Sequence, residues 1–151
     1  MRSRKTPARP SIYCDEHIGR DVCQAFREVG FRTILIGIHA ALRGRDEIDY
    51  ISQLYRDNGV FVTSDVEAIL HITDRGMRHA GMIYVPSRIY ASEKRTWAEI
   101  VAGFLYGATA NGSFVIRSEL IYPGHDGLHV FKGERDELMF SWERFSMDMG
   151  L

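Results

Sequence analysis

Four acidic residues carry most of the chemistry this sequence could perform: Asp15, Asp46, Asp65 and Glu67. Asp15 and Asp65 each follow an apolar run, Glu67 lies two residues after Asp65, and Asp46 precedes a helical pattern. Convergent carboxylates are hard oxygen donors, the kind that Mg2+ and Mn2+ accept while keeping several waters. Such a cluster is costly without a cation, because like charges oppose one another's ionisation. With one or two divalent ions it can orient a water and offset the charge that builds on a phosphodiester in the transition state. Two of the four acids have a plainer reading. Asp46 suits a helix N-cap, and Glu67 suits a first helical turn, where negative charge is favoured. A strand that ends on an acid twice, at Asp15 and at Asp65, is less expected by chance.

The elements needed to bring these acids together are legible in the hydrophobic pattern. Ser11 to Cys14 reads as a short strand that stops at Asp15-Glu16. Ile18, Val22, Cys23, Phe26 and Val29 then recur at helical spacing, with Gly30 as the stop. Phe31 to Ile36 is a second strand, and Asp46 opens a helix striped by Ile48, Ile51, Leu54 and Tyr55. Val60 to Thr63 is a continuous apolar run of the type a parallel sheet buries on both faces. A short helix through Ala68 to Ile72, a strand over Met82 to Val85, a helix over Glu93 to Tyr106 and a strand over Phe114 to Tyr122 complete the alternation. The pattern predicts a single α/β domain over residues 11–122, with a central, mostly parallel five-stranded sheet and helices on both faces. In such sheets ligands bind beyond the carboxyl ends of the strands, where Asp15 and Asp65 fall. Asp46 reaches the same edge at the start of the helix that follows the second strand.

Composition narrows the options further. At 151 residues the length favours one domain, and 45% apolar with 26% charged residues is ordinary for a folded protein. Nineteen basic residues against twenty acidic ones leave a net charge of -1, so nucleic-acid binding would have to rest on a local patch. Cys14 and Cys23 have no C-x-x-C spacing and read as reduced core thiols. No apolar run approaches the roughly 20 residues of a membrane span, and residues 1–10 lack the apolar stretch of a signal peptide. The expectation is a cytoplasmic protein with no membrane partner and a frayed basic arm over residues 1–10. His125 and His129, near Gly124 and Gly127, make a poor zinc pair, and no Gly-rich nucleotide loop is present. A phosphoacceptor receiver domain would also place acids after strands one and three. It needs a lysine after strand five, and the lysines beyond residue 5, Lys94 and Lys132, do not stand there.

Over residues 12–86 the sequence resembles the PIN-like domain family, specifically the small group related to toxins of prokaryotic toxin–antitoxin operons and to Mut7-C domains. The resemblance rests on Ile12-Tyr13-Cys14-Asp15-Glu16-His17-Ile18, Leu42-Arg43-Gly44-Arg45-Asp46-Glu47-Ile48, Val60-Phe61-Val62-Thr63-Ser64-Asp65 and His79-Ala80-Gly81-Met82-Ile83-Tyr84-Val85, in that order. It implies a Rossmann-like sheet and a Mg2+- or Mn2+-dependent endoribonuclease centre, acting on single-stranded RNA, built from about four acids. Carried over by position, those acids are Asp15, Asp46, Asp65 and Glu67. The family's usual Thr-x-Asp-x-Asp-Phe reads Thr63-Ser64-Asp65-Val66-Glu67-Ala68 here. The resemblance assigns the principal ion to Asp15 and Asp65, a supporting place to Asp46 and a weaker second site to Glu67. Glu16 is an auxiliary ligand, and Thr63 and Ser64 are hydrogen-bond donors to the carboxylates or to a phosphate. It further implies the toxin of a toxin–antitoxin pair, with an antitoxin-like protein as partner. The altered fourth position keeps an alternative open, a catalytically weakened PIN-like scaffold that binds a protein or RNA.

Residues 123–151 extend past that resemblance. Leu138, Trp142, Phe145 and Met149 fall at spacings that predict one apolar face of an amphipathic helix. Such a face must be covered, by the chain's own core or, alternatively, by a second copy or an antitoxin-like partner. This helix or the one over residues 93–106 is the expected contact of a homodimer.

Overall fold

The computed structural model describes residues 9–86, 91–110, 116–123, 127–132 and 135–141. In chain order these form β1 (Ser11–Cys14), α1 (Arg20–Val29), β2 (Thr33–Leu35), a 3-10 turn (Ile36–Ile38), α2 (Glu47–Arg56), β3 (Gly59–Thr63), α3 (Val66–Asp74) and β4 (Met82–Tyr84). Then come α4 (Ala91–Ala108), β5 (Glu119–Pro123), β6 (Gly127–Lys132) and β7 (Arg135–Ser141). One sheet holds all the strands in the order β2-β1-β3-β4-β5-β6-β7. β1 to β5 pair in parallel, whereas β5–β6 and β6–β7 are antiparallel.

Alternation along each strand sorts the core into two layers. Ile12, Cys14, Val60, Val62 and Ile83 point to one face, where they pack with Val22, Cys23 and Phe26 of α1 and Trp97, Val101 and Leu105 of α4. Tyr13, Phe61 and Met82 point to the other, against Tyr50, Ile51 and Leu54 of α2 and Ala68, Ile69 and Ile72 of α3. Each helix is thereby fixed by its own apolar stripe. α1 ends where Gly30 adopts φ +126°, with Gly30 N–H donating to Arg27 O and Phe31 N–H to Phe26 O. That is a Schellman closure, and glycine accommodates its positive φ without a Cβ penalty.

The α/β class with helices on both faces is as expected, but the sheet has seven strands rather than five. The two additional strands come from the C-terminal extension. Leu138, the first member of the expected helical stripe, stands in β7. Period-2 pairing against β6 has displaced the helical reading there, while Trp142, Phe145 and Met149 lie outside the described residues. The fifth strand begins at Glu119, because Ser118 takes φ +67° in the turn that precedes it. At the N-terminus, Pro10 is buried, and the Arg9 guanidinium lies 3.4 Å over the Tyr106 ring and donates to Tyr106 O at 2.6 Å. The end of the expected basic arm is therefore docked on α4. Cys14 and Cys23 are both buried free thiols. Among the described residues no helix is long and apolar enough to cross a membrane.

Candidate active site

The chain leaves β1 toward β2 on one side and reaches β3 on the other, so the order of strands switches at the β1–β3 pair. Ligand crevices in doubly wound sheets open at the carboxyl ends of the strands at such a switch. β1 and β3 run in parallel with Cys14 opposite Val62, and Asp15 N–H continues the ladder by donating to Val62 O at 2.9 Å. Asp15 is therefore held beside Thr63, the last residue of β3.

Thr63 has no exposed surface, and its hydroxyl links the two strand ends. Thr63 Oγ1 donates to Asp15 Oδ2 at 2.8 Å and accepts from Asp65 N–H at 3.0 Å. The other Asp15 oxygen, Oδ1, accepts from Glu16 N–H at 2.8 Å. Glu16 is tied in turn to the segment before α2, its Oε1 accepting from Gly44 N–H at 2.9 Å. Gly44 adopts φ +74°, a conformation that suits glycine.

Asp46 and Asp65 both act as helix N-caps. Asp46 Oδ1 accepts from Ile48 N–H at 3.2 Å at the start of α2, and Asp65 Oδ1 accepts from Glu67 N–H at 2.9 Å at the start of α3. The plainer reading of Asp46 thus holds, and it applies to Asp65 as well. Capping uses one oxygen of each carboxylate. The Ile48 N–H, followed by a hydrogen bond with the Glu47 side chain, holds the Asp46 carboxyl below its ordinary range.

These elements enclose an open cleft of about 350 Å³, lined by Asp15, Glu16, His17, Gly44, Arg45, Asp46, Glu47, Tyr50 and Asp65. Five carboxylates thus share it with the single guanidinium of Arg45. The cleft brings together Asp15, Asp46 and Asp65, with Glu16 beside them. It does not include Glu67 or Ser64 in its lining: Glu67 is exposed in the first turn of α3, consistent with its plainer reading.

Two further lining residues were not singled out by the sequence pattern. Glu47 pairs with His71 Nδ1 at 3.1 Å, bridging α2 to α3. Tyr50, only 2% exposed, packs edge-on to Phe61 beneath the acids. Burial, reinforced by the Asp15, Glu47, Glu16 and Asp46 carboxylates, pushes its phenol far above its ordinary range. The expected stripe of α2 marked Ile48 and Tyr55 in place of Tyr50. Adjacency to Asp46 was the available signal for Glu47.

The five carboxylates of the cleft offer hard oxygen donors, which suit a hard divalent cation. Among the described residues, however, no three acids are grouped closely enough to form a ready-made metal cage. Comparisons of the chain with protein-family models, with curated proteins and with solved structures find no match.

Proposed function

We propose that the protein is a Mg2+- or Mn2+-dependent endoribonuclease of the PIN-like type, working in the acidic cleft. The observation that carries this reading is the Asp15–Thr63–Asp65 link. Two acids at the ends of adjacent parallel strands, at the switch point of the sheet, are tied by a buried hydroxyl and face one cleft. Mg2+ is commonly bound through one or two carboxylates plus waters and substrate phosphate, so a full protein cage is not required.

Asp15 and Asp65 would hold the ion, and Asp46, which lines the same cleft, would take a supporting place. A bound divalent ion would offset charge on the phosphodiester and lower the pKa of an attacking water. The chain's own groups prepare for this. Thr63 and the Glu16 N–H fix the Asp15 carboxylate from two sides, and the capping bonds fix Asp46 and Asp65. Arg45 and the Tyr50 hydroxyl are among the groups lining the cleft that could donate to a phosphate oxygen. The toxin role and the antitoxin-like partner rest on the resemblance over residues 12–86 alone.

One observation favours a second reading, a PIN-like scaffold without catalysis. Asp46 and Asp65 have structural work as caps, and the acids are not grouped as a cage. Incubation of the full chain with single-stranded RNA and Mg2+ or Mn2+ separates the two. The nuclease reading expects cleavage that EDTA abolishes and Asp65→Asn removes. Absence of cleavage, or cleavage that survives in Asp65→Asn, leaves the scaffold.

A further inference from the structure

A second cleft, of about 390 Å³, is lined by Arg20, Asp21, Gln24 and Arg27 of α1 with Leu35 and Ile38. We propose that this groove binds the sugar–phosphate backbone of the single-stranded RNA whose reacting phosphate occupies the acidic cleft. The inference rests on the nuclease reading and extends it to how the strand is held.

Three observations support it. The first is charge. Two guanidiniums and the Gln24 amide face the groove against one carboxylate, Asp21, whereas the neighbouring cleft is strongly acidic. In a chain of net charge -1, this is a local excess of basic groups that bulk composition does not reveal.

The second is preorganisation. Arg27 Nη2 donates to Thr33 O at 3.1 Å, which anchors the guanidinium while leaving further N–H groups for a phosphate.

The third is continuity. Glu16 and His17 line the acidic cleft, and Arg20 opens α1 only three residues after His17. A Cβ on Gly37 would lie 3.4 Å from Glu16 Cγ, so the Ile36–Ile38 turn runs close beside the Glu16 side chain. Ile38, the next residue, lines the basic groove and is 74% exposed. The linings of the two clefts are therefore neighbours in the chain, and in this proposal a flexible single strand enters both in succession. Ile38 and Leu35 offer an apolar surface against which a base or ribose can lie, beside guanidiniums that attract phosphate without reading sequence.

The test measures binding separately from cleavage. Anisotropy of a fluorescein-labelled 12-nucleotide single-stranded RNA is titrated with the full chain in EDTA over a range of salt. The expected result is that Arg20→Gln combined with Arg27→Gln weakens binding about tenfold and flattens the log K against log salt slope by about 1.4, the contribution of two phosphate contacts on a single strand. Gln24→Glu keeps both arginines and the Arg27–Thr33 bond. It should weaken binding in the same direction, which guards against an unfolded double variant. Wild type that does not bind the RNA, or variants that match it in affinity and salt slope, would overturn the groove. If binding depends on the arginines but no Mg2+- or Mn2+-dependent cleavage occurs, the groove stands and the nuclease reading falls. If cleavage occurs while binding ignores the arginines, the reverse holds.

Discussion

Thr63 Oγ1 donates to Asp15 Oδ2 at 2.8 Å, from a position with no exposed surface at the end of the neighbouring strand. The same oxygen accepts from Asp65 N–H, so one hydroxyl sets the relative positions of the two acids. Thr63→Val keeps the shape and removes the link. It leaves an Asp15 oxygen and the Asp65 N–H without this partner, and is expected to cost about 1–3 kcal/mol in a denaturant melt. Cleavage should fall about 10–100-fold, as when a group that orients a metal ligand is lost. Thr63→Ser restores the hydroxyl and should recover most of the activity. Equal activity in all three forms would remove Thr63 from the site.

Replacing acids one at a time should separate cleft from cap. Asparagine is as good an N-cap as aspartate, so Asp65→Asn and Asp46→Asn should melt near wild type. Asp65→Asn should abolish cleavage and Asp46→Asn should reduce it. Glu67→Gln should cleave as wild type does, because Glu67 does not line the cleft. A dead Glu67→Gln variant that still folds would return Glu67 to the centre.

His79 supplies a pH dependence outside the cleft. It is buried at the approach to β4, where its Nδ1 accepts from Gly81 N–H at 3.1 Å. Burial holds its pKa below the ordinary histidine value. The unfolded chain therefore binds a proton before the folded one does. Stability is fully present above the unfolded pKa, about 6.5, and declines as pH falls toward the folded pKa. His79→Asn keeps a short acceptor but does not titrate. Between pH 7 and 5 it should lose less stability than wild type in parallel melts, and an identical pH slope would discount His79.

How much of this the sequence could disclose follows from what each residue answers to. Asp15 and Asp65 were legible because strand and acid are contiguous, and the parallel pairing of β1 with β3 depends on apolar runs that sequence displays. Asp46 was legible as a cap for the same local reason. Tyr50 and Glu47 were not, because their part in the cleft depends on how α2 sits against β3 and α3. The C-terminal strands were missed because Leu138 satisfies a helical spacing and a strand equally well, and only β6 decides between them. The Arg20–Arg27 groove was hidden by a net charge near zero, and its lining is assembled from α1, the last residue of β2 and Ile38 beyond it.

In the proposed mechanism the acidic cleft binds a divalent ion through Asp15 and Asp65. Its most direct measurement is a titration of Mn2+ into the full chain, with free ion followed by electron paramagnetic resonance, in wild type, Asp15→Asn and Asp65→Asn. Wild type should show one principal site, weakened about tenfold or more in both variants, as expected when one of a few ligands is lost. Wild type that binds no Mn2+ with or without single-stranded RNA, or variants that bind it as wild type does, would contradict it.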